Sequence, residues 1–462
     1  MSILIKNGRI ITDTQDYVGD IFVENDLITT INTNLNFHAE TILDAKGKYV
    51  IPGGIDVHTH LDMPLGNIKS SDDFETGTIA AAFGGTTCII DFPTQKRGTR
   101  MHEAFEEWMK KAEGKAVIDY GFHMIITELP EKNLNDMDEM VDSGVTSFKM
   151  FMAYPDTLMT DDAAIFRAMK HGAELGALVC IHAENGVVIN EIIKNALAEG
   201  KTAPINHALT RPCAAEAEAV NRAIAIAEIA GAPVYIVHVS CEESLRKIAE
   251  VKVKGLPVYA ETCPQYLFLS IDDMDIPGFE SAKFVLTPPL REKANHDKLW
   301  NGLKEKILDV VSTDHCPFRY KDQKILGKDD FTKIPNGGPG IEHRLQLLFD
   351  GGVRQGRISL NRWVELISVM PAKIFGLYPM KGTIAVGSDA DIVIWDPEKD
   401  YAISAKTHHM SVDYSMYEGR KIKGNIDTII SRGEIIIQNE KFLGKPGRGK
   451  YIKRKGSGCM KA

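Results

Sequence analysis

The stretch Tyr49-Val50-Ile51-Pro52-Gly53-Gly54-Ile55-Asp56-Val57-His58-Thr59-His60 is an apolar run that ends in two histidines one residue apart. In an extended strand, residues i and i+2 point to the same face, so both imidazoles can meet one metal ion. Alone, the pair carries little weight: with 14 His in 462 residues, about 0.4 such pairs arise by chance. Its weight comes from four further apolar segments that end in the same way, at Lys149, His182, His238 and Asp314. Five strand ends converging on ligand-type side chains point to a metal-dependent hydrolase.

Outward from that run, the middle of the chain alternates strand-like and helix-like segments, the pattern of parallel βα units. Candidate strands end near Val57, Asp91, Ile126, Phe151, His182, Val239, Glu261 and Thr313. Eight is the number a closed barrel needs. Helical stretches lie between them at 74–83, 102–112, 161–175, 214–230, 243–253 and 296–306. Ser240-x-x-Glu243 has the form of a capping box, and Thr160-Asp161 that of an N-cap. Both ends of the chain have a different texture. Short apolar runs between turn residues at 3–5, 20–23 and 27–31 return at 390–395, 428–430 and 435–437. The expectation is therefore an α/β protein: a (β/α)8 TIM-like barrel over residues 52–375, with a small β-sandwich domain built from both termini, 1–51 and 376–440. The tail, 441–462, carries eight basic residues and no acidic one, which leaves open a disordered tail or an arm docked on a neighbouring subunit.

The bulk numbers narrow the class. Hydrophobic residues at 44% and charged residues at 25% are an ordinary globular balance, and a net charge of −9 disfavours nucleic acid as the main partner. Seven cysteines stand singly at 88, 180, 213, 241, 263, 316 and 459 with no C-x-x-C. That spacing suits reduced thiols rather than a disulfide framework. The N-terminal residues lack the apolar stretch of a signal peptide, and no run approaches the roughly 18 apolar residues that cross a bilayer. A cytoplasmic protein without a membrane partner is expected.

His58, His60, His182, His238 and Asp314 are ordinary nitrogen and oxygen ligands for a divalent first-row metal. Lys149 is the odd member. A protonated lysine, with an ordinary pKa of about 10.4, repels cations. If carbon dioxide converts its amine to a carbamate, the cation becomes a carboxylate-like anion able to bridge two metals.

The same residues resemble a known family. Residues 50–60 are similar to the opening motif of the cyclic amidohydrolases of the amidohydrolase superfamily. Ser147-Phe148-Lys149-Met150-Phe151-Met152-Ala153-Tyr154 resembles their carboxylated-lysine segment. Cys180-Ile181-His182-Ala183-Glu184-Asn185, Val237-His238-Val239-Ser240 and Ser312-Thr313-Asp314-His315-Cys316-Pro317-Phe318 resemble the remaining ligand segments. The likeness covers about residues 1–440 and is greatest to dihydropyrimidinases and microbial D-hydantoinases. It implies two divalent metal ions, zinc with manganese or cobalt as alternatives, bridged by carboxylated Lys149 (N6-carboxylysine) and a hydroxide. One metal would take His58, His60 and Asp314, the other His182 and His238. Tyr154 would donate to the developing oxyanion, and Asp314 would move the proton to the leaving ring nitrogen. Backbone groups at Thr287 and Asn336 would read the ring amide edge. The resemblance also implies a small cyclic imide or ureide substrate and a homotetramer or homodimer.

Dihydroorotases and allantoinases share this scaffold, so their activities stay as alternatives, together with metal-free relatives that act in assembly. A dihydroorotase binds a substrate carboxylate, typically with an Arg just after the His pair. Here the chain continues Leu61-Asp62-Met63-Pro64-Leu65, where Asp62 would repel a carboxylate. Met63, Leu65, Phe151 and Leu158 instead suggest an apolar pocket for a ring substituent.

Overall fold

A computed structural model describes residues 2–456. The run that opens the chemistry becomes two strands at a sharp junction. Tyr49–Pro52 joins the sheet made by the chain ends, and Gly54–Thr59 is the first of a series of parallel core strands. Gly53 sits at the joint, where a Cβ would lie 2.1 Å from Thr87 Oγ1, so no larger residue fits.

The core series continues with Thr86–Asp91, Asp119–Phe122, Ser147–Phe151, Leu178–His182, Val234–Ile236, Val258–Thr262 and Val310–Val311. The third strand is interrupted at His123, whose ring bridges Ser147 Oγ at 2.5 Å and the Val57 carbonyl at 3.0 Å. It resumes as Met124–Ile125 and pairs with the fourth. All the ladders between neighbours in this series are parallel. A further parallel bridge joins Thr59, at the end of the first strand, to His315, just past the eighth. Strands buried on both faces need no alternation, which is why these segments read as continuous apolar runs.

Six of the helices fall where the periodicity places them: Phe74–Phe83, Met101–Ala112, Asp162–Leu175, Cys213–Ala230, Glu242–Lys252 and Asn295–Lys304. The Asp161 carboxylate caps its helix by accepting from Ala164 N at 2.7 Å. The expected capping box at Ser240 does not form. Cys241 is the N-cap, and the Ser240 hydroxyl is turned inward to Glu216 and to Arg291, 2.8 Å away. A buried ion pair outcompetes a cap that solvent could replace.

The chain ends meet in one nine-stranded sheet. Its seam is Tyr49–Pro52, parallel to Ser2–Ile11 on one side and antiparallel to Ile392–Ala402 on the other. A separate apolar cluster that includes Ile3, Ile5, Ile10, Val50, Ile392 and Ile430 fills it. Lys381 ties this region to the core strands, with Nζ 2.7 Å from both Asp119 and Asp391 and 2.9 Å from Asp389.

Over the described residues, the basic tail packs against its own chain. Lys441–Phe442 is a short edge strand. Beyond it, Lys450 O accepts from Tyr120 N, and Ile452 N donates back to Tyr120 O. Arg454 is buried, with its guanidinium on the Phe122 carbonyl and 2.8 Å from Ser147 Oγ. Residues 457–462 lie outside the described part.

Candidate active site

The sequence-predicted ligands all come from the C-terminal ends of core strands. His58 lies within Gly54–Thr59, Lys149 within Ser147–Phe151, and His182 ends Leu178–His182. His60, His238 and Asp314 fall just beyond the first, sixth and eighth strands. His238 (φ 37°), Asp314 (φ 53°) and Tyr154 (φ 61°) have left-handed backbones. For non-glycine residues such conformations cost roughly 1–3 kcal/mol each and cluster at functional sites.

The ring nitrogens converge in two groups. Asp314 Oδ1 lies 3.2 Å from both His58 Nε2 and His60 Nε2. His182 Nδ1 and His238 Nε2 face each other at 2.9 Å. Ligand atoms of His58, His238 and Asp314 all lie within 4.8 Å of one another, so the groups adjoin. Two imidazole nitrogens this close can share one N–H in a hydrogen bond, and with both deprotonated they offer two lone pairs to one divalent ion. The opposite nitrogens are anchored. His58 Nδ1 meets the Glu261 carboxylate, and His182 Nε2 lies 2.9 Å from Glu184. Carboxylates in this outer position fix tautomer and ring orientation in metal sites.

Lys149 lies between the groups. Its Nζ is 5.3 Å from the Phe92 ring and 5.1 Å from the Phe151 ring. Phe92 packs on His58 and His60, and Phe151 stacks on His182. Burial pushes the Lys149 pKa down to about 8, against the opposing pull of Asp314 and Glu261. A useful fraction of the amine is therefore neutral near pH 7. Burial also holds His58 and His238 well below the imidazole range, leaving both neutral as ligation requires. Burial raises Asp314, but His58, His60 and Lys149 outweigh it and keep the carboxyl below its ordinary value. Burial raises the Tyr154 phenol, while Arg211, Thr287 and Asn336 pull the other way.

A cavity of about 830 Å³ opens over this constellation, and every candidate residue lines it: the six ligand positions, Tyr154, Thr287, Asn336, Met63, Leu65, Phe151 and Leu158. Ile68, Leu326 and Ile334 add to the apolar wall. Asp62 does not line it. Its carboxylate is paired with Lys69 and faces an outer cleft, so the repulsion expected of it does not operate. The cavity lining instead contains no arginine among the described residues, which leaves a substrate carboxylate without a bidentate partner.

Sequence reasoning missed Glu261, Glu184 and Phe92. Glu184 was within reach, two residues past His182 on the same motif. Glu261 was named only as a strand end. Its burial pushes the carboxyl up to about 7, and Tyr235 Oη also donates to it at 2.8 Å. Nothing local marks Phe92 except that it follows a strand.

The chain belongs to the amidohydrolase family, a family of metal-dependent hydrolases, whose signature matches residues 49–436. It is 51% identical over 463 aligned positions to a D-hydantoinase of Geobacillus stearothermophilus, covering all of this chain and 98% of that protein. A D-hydantoinase of Streptomyces coelicolor is 49% identical over 456 positions, with 98% and 97% covered. Among solved structures, a dihydropyrimidinase from Brevibacillus agri NCHU1002 superposes with a TM-score of 0.98 at 50% identity, covering 99% of each chain.

Proposed function

We propose that this enzyme hydrolyses the ring amide of cyclic imides and ureides. Its substrates are 5,6-dihydropyrimidines, opened to N-carbamoyl-β-amino acids, and 5-monosubstituted hydantoins, opened with D-selectivity to N-carbamoyl-amino acids. The observation that carries this reading is the cavity itself: six ligand-type side chains, a mainly apolar wall and, among the described residues, no arginine and a single further cation, Lys333, which is paired with Asp330. The names of the full-length relatives support it.

The core strands close into a (β/α)8 barrel over residues 52–375. Support comes from one cluster that packs Ile55, Cys88, Leu178, Tyr235 and Val310, side chains of the first, second, fifth, sixth and eighth strands. An open sheet would hold its first and fifth strands apart. The terminal sheet, 1–51 with 376–440, folds over its own apolar cluster as the β-sandwich.

The residues suit two divalent ions: His58, His60 and Asp314 would hold one, His182 and His238 the other, with carboxylated Lys149 as a further ligand. A bound divalent pair lowers the pKa of water and supplies a hydroxide nucleophile at neutral pH. The chain's own groups do the rest. Backbone groups of Thr287 and Asn336 hold the neutral amide edge, and Tyr154 donates to the carbonyl oxygen as negative charge develops there. Asp314 takes the nucleophile's proton on its carboxylate and returns it to the departing ring nitrogen. Met63, Leu65, Phe151 and Leu158 receive the 5-substituent. Zinc is the proposed metal, the cytoplasm the compartment, and a homotetramer or homodimer the assembly; among the described residues no helix is long and apolar enough to cross a membrane.

The deciding experiment is kcat/KM of metal-replete protein on dihydrouracil, a 5-substituted hydantoin, dihydroorotate and allantoin. Turnover of the first two with little of the others is the expected result. Preference for dihydroorotate or allantoin would overturn the substrate assignment and leave the metal ligands standing.

A further inference from the structure

Lys324 is fully buried, yet no carboxylate among the described residues pairs with it. Its Nζ instead lies 2.8 Å from Val285 O, 2.9 Å from Pro335 O and 2.7 Å from Gly337 O. Burial pushes its pKa down to about 7, against the pull of the three carbonyl oxygens, which favour the charged form. Three carbonyl oxygens at these distances require three N–H donors, which only the ammonium form carries. The three carbonyls belong to the two loops that bring Thr287 and Asn336 to the cavity. Those loops touch directly through Gly337 N to Val285 O, 3.0 Å. Gly337 has φ 139°, and a Cβ there would lie 2.2 Å from Cys316 O, so the second loop is also held from the opposite side.

One of the three contacts bears on substrate. Pro335 O and Asn336 N–H belong to the same peptide group. Withdrawing electron density from a carbonyl makes the N–H of that peptide a stronger donor, because hydrogen bonds in a chain polarise one another. We infer that Lys324 is a positioning residue for substrate recognition: its ammonium clamps the Thr287 and Asn336 loops together and, through Pro335 O, polarises the Asn336 amide toward the substrate's ring carbonyl. This inference rests on the cyclic-amide reading for its substrate and on nothing but the chain for its polarisation.

The test uses metal-replete protein with Lys324→Met, and Lys324→Arg as the conservative variant. Binding supplied by an amide that does not touch the reacting bond contributes equally to ground and transition states. Its loss raises KM, here by about tenfold for dihydrouracil or a 5-substituted hydantoin, with kcat within about threefold and metal content unchanged. Lys324→Arg recovers part of the KM. A lowered Tm with KM unchanged would make Lys324 a structural residue only. The polarisation is also read without substrate, from the Asn336 amide resonances of ¹⁵N-asparagine-labelled protein. They move upfield in K324M, and unmoved resonances overturn the inference even if wild type turns over neither substrate. Lys324→Gln, which keeps two N–H donors without the charge, serves if K324M does not fold.

Discussion

At the scale of single residues, Lys149 tests the site most directly. Lys149→Ala should lose metal and activity together, measured by metal analysis and turnover on the same sample, and short carboxylates should restore part of both. Full occupancy in that variant would remove Lys149 from the ligand set. Only the neutral amine can attack carbon dioxide, and burial puts the Lys149 pKa at about 8. Reactivation of metal-free protein at fixed dissolved carbon dioxide should therefore quicken about tenfold per pH unit below 8 and level off above it. A rate flat from pH 6 to 8 would contradict carboxylation at this amine. Tyr154→Phe should lower kcat by about 10²–10³, the usual loss for one oxyanion donor, with metal content unchanged. An unaltered kcat would exclude that role.

At the scale of elements, the ties between segments carry more than the segments' own propensities. Lys381, 2% exposed, holds Asp119 of the third core strand against Asp389 and Asp391, beside the first strand of the C-terminal half of the sheet. Removing one partner of a buried ionic cluster leaves uncompensated charge. Lys381→Met should cost about 3–5 kcal/mol, read by denaturant unfolding. A loss below about 1 kcal/mol would show that water reaches the cluster. Burial raises Asp119, but Lys381 and Arg432 outweigh it and hold the carboxyl below its ordinary value. Its contribution is thus full above the unfolded carboxylate pKa, about 3.9, and is lost as pH falls toward the folded value.

For the whole molecule, the last described residues act as a strap across the ends of the core strands opposite the cavity. Gly449 N donates to Ala116 O, Arg454 N to Gly144 O and Lys455 N to Gly376 O. The Arg454 guanidinium donates to two carbonyls and one hydroxyl in three separate segments: Phe122 O, Phe375 O at 3.4 Å, and Ser147 Oγ of the strand Ser147–Phe151. Arg454→Ala should lower stability by about 1–3 kcal/mol by leaving these acceptors unsatisfied. Metal content and kcat/KM should stay near wild type, because the strap contacts the far ends of the strands. A variant with unchanged Tm would make the arm an accessory.

Much of the molecule follows from residue order alone. Buried parallel strands demand continuous apolar runs, so the core strand ends at Asp91, Phe151 and His182 were legible to the residue. The candidate ligands could be nominated from sequence because metal chemistry admits few side chains, and each closes such a run. Groups whose role depends on a distant partner could not be read this way. Glu261 becomes an anchor only where folding brings it to His58, and Ser240 abandons its helix for Glu216 and Arg291. Asp62 turns to Lys69 instead of the cavity, and a basic tail whose place the sequence leaves open packs on its own strands. Local sequence determines which segments are apolar and which side chains end them. Which lone pairs, charges and carbonyls must share one desolvated space is settled by the tertiary structure, because the cost of burying a polar group depends on what is placed beside it.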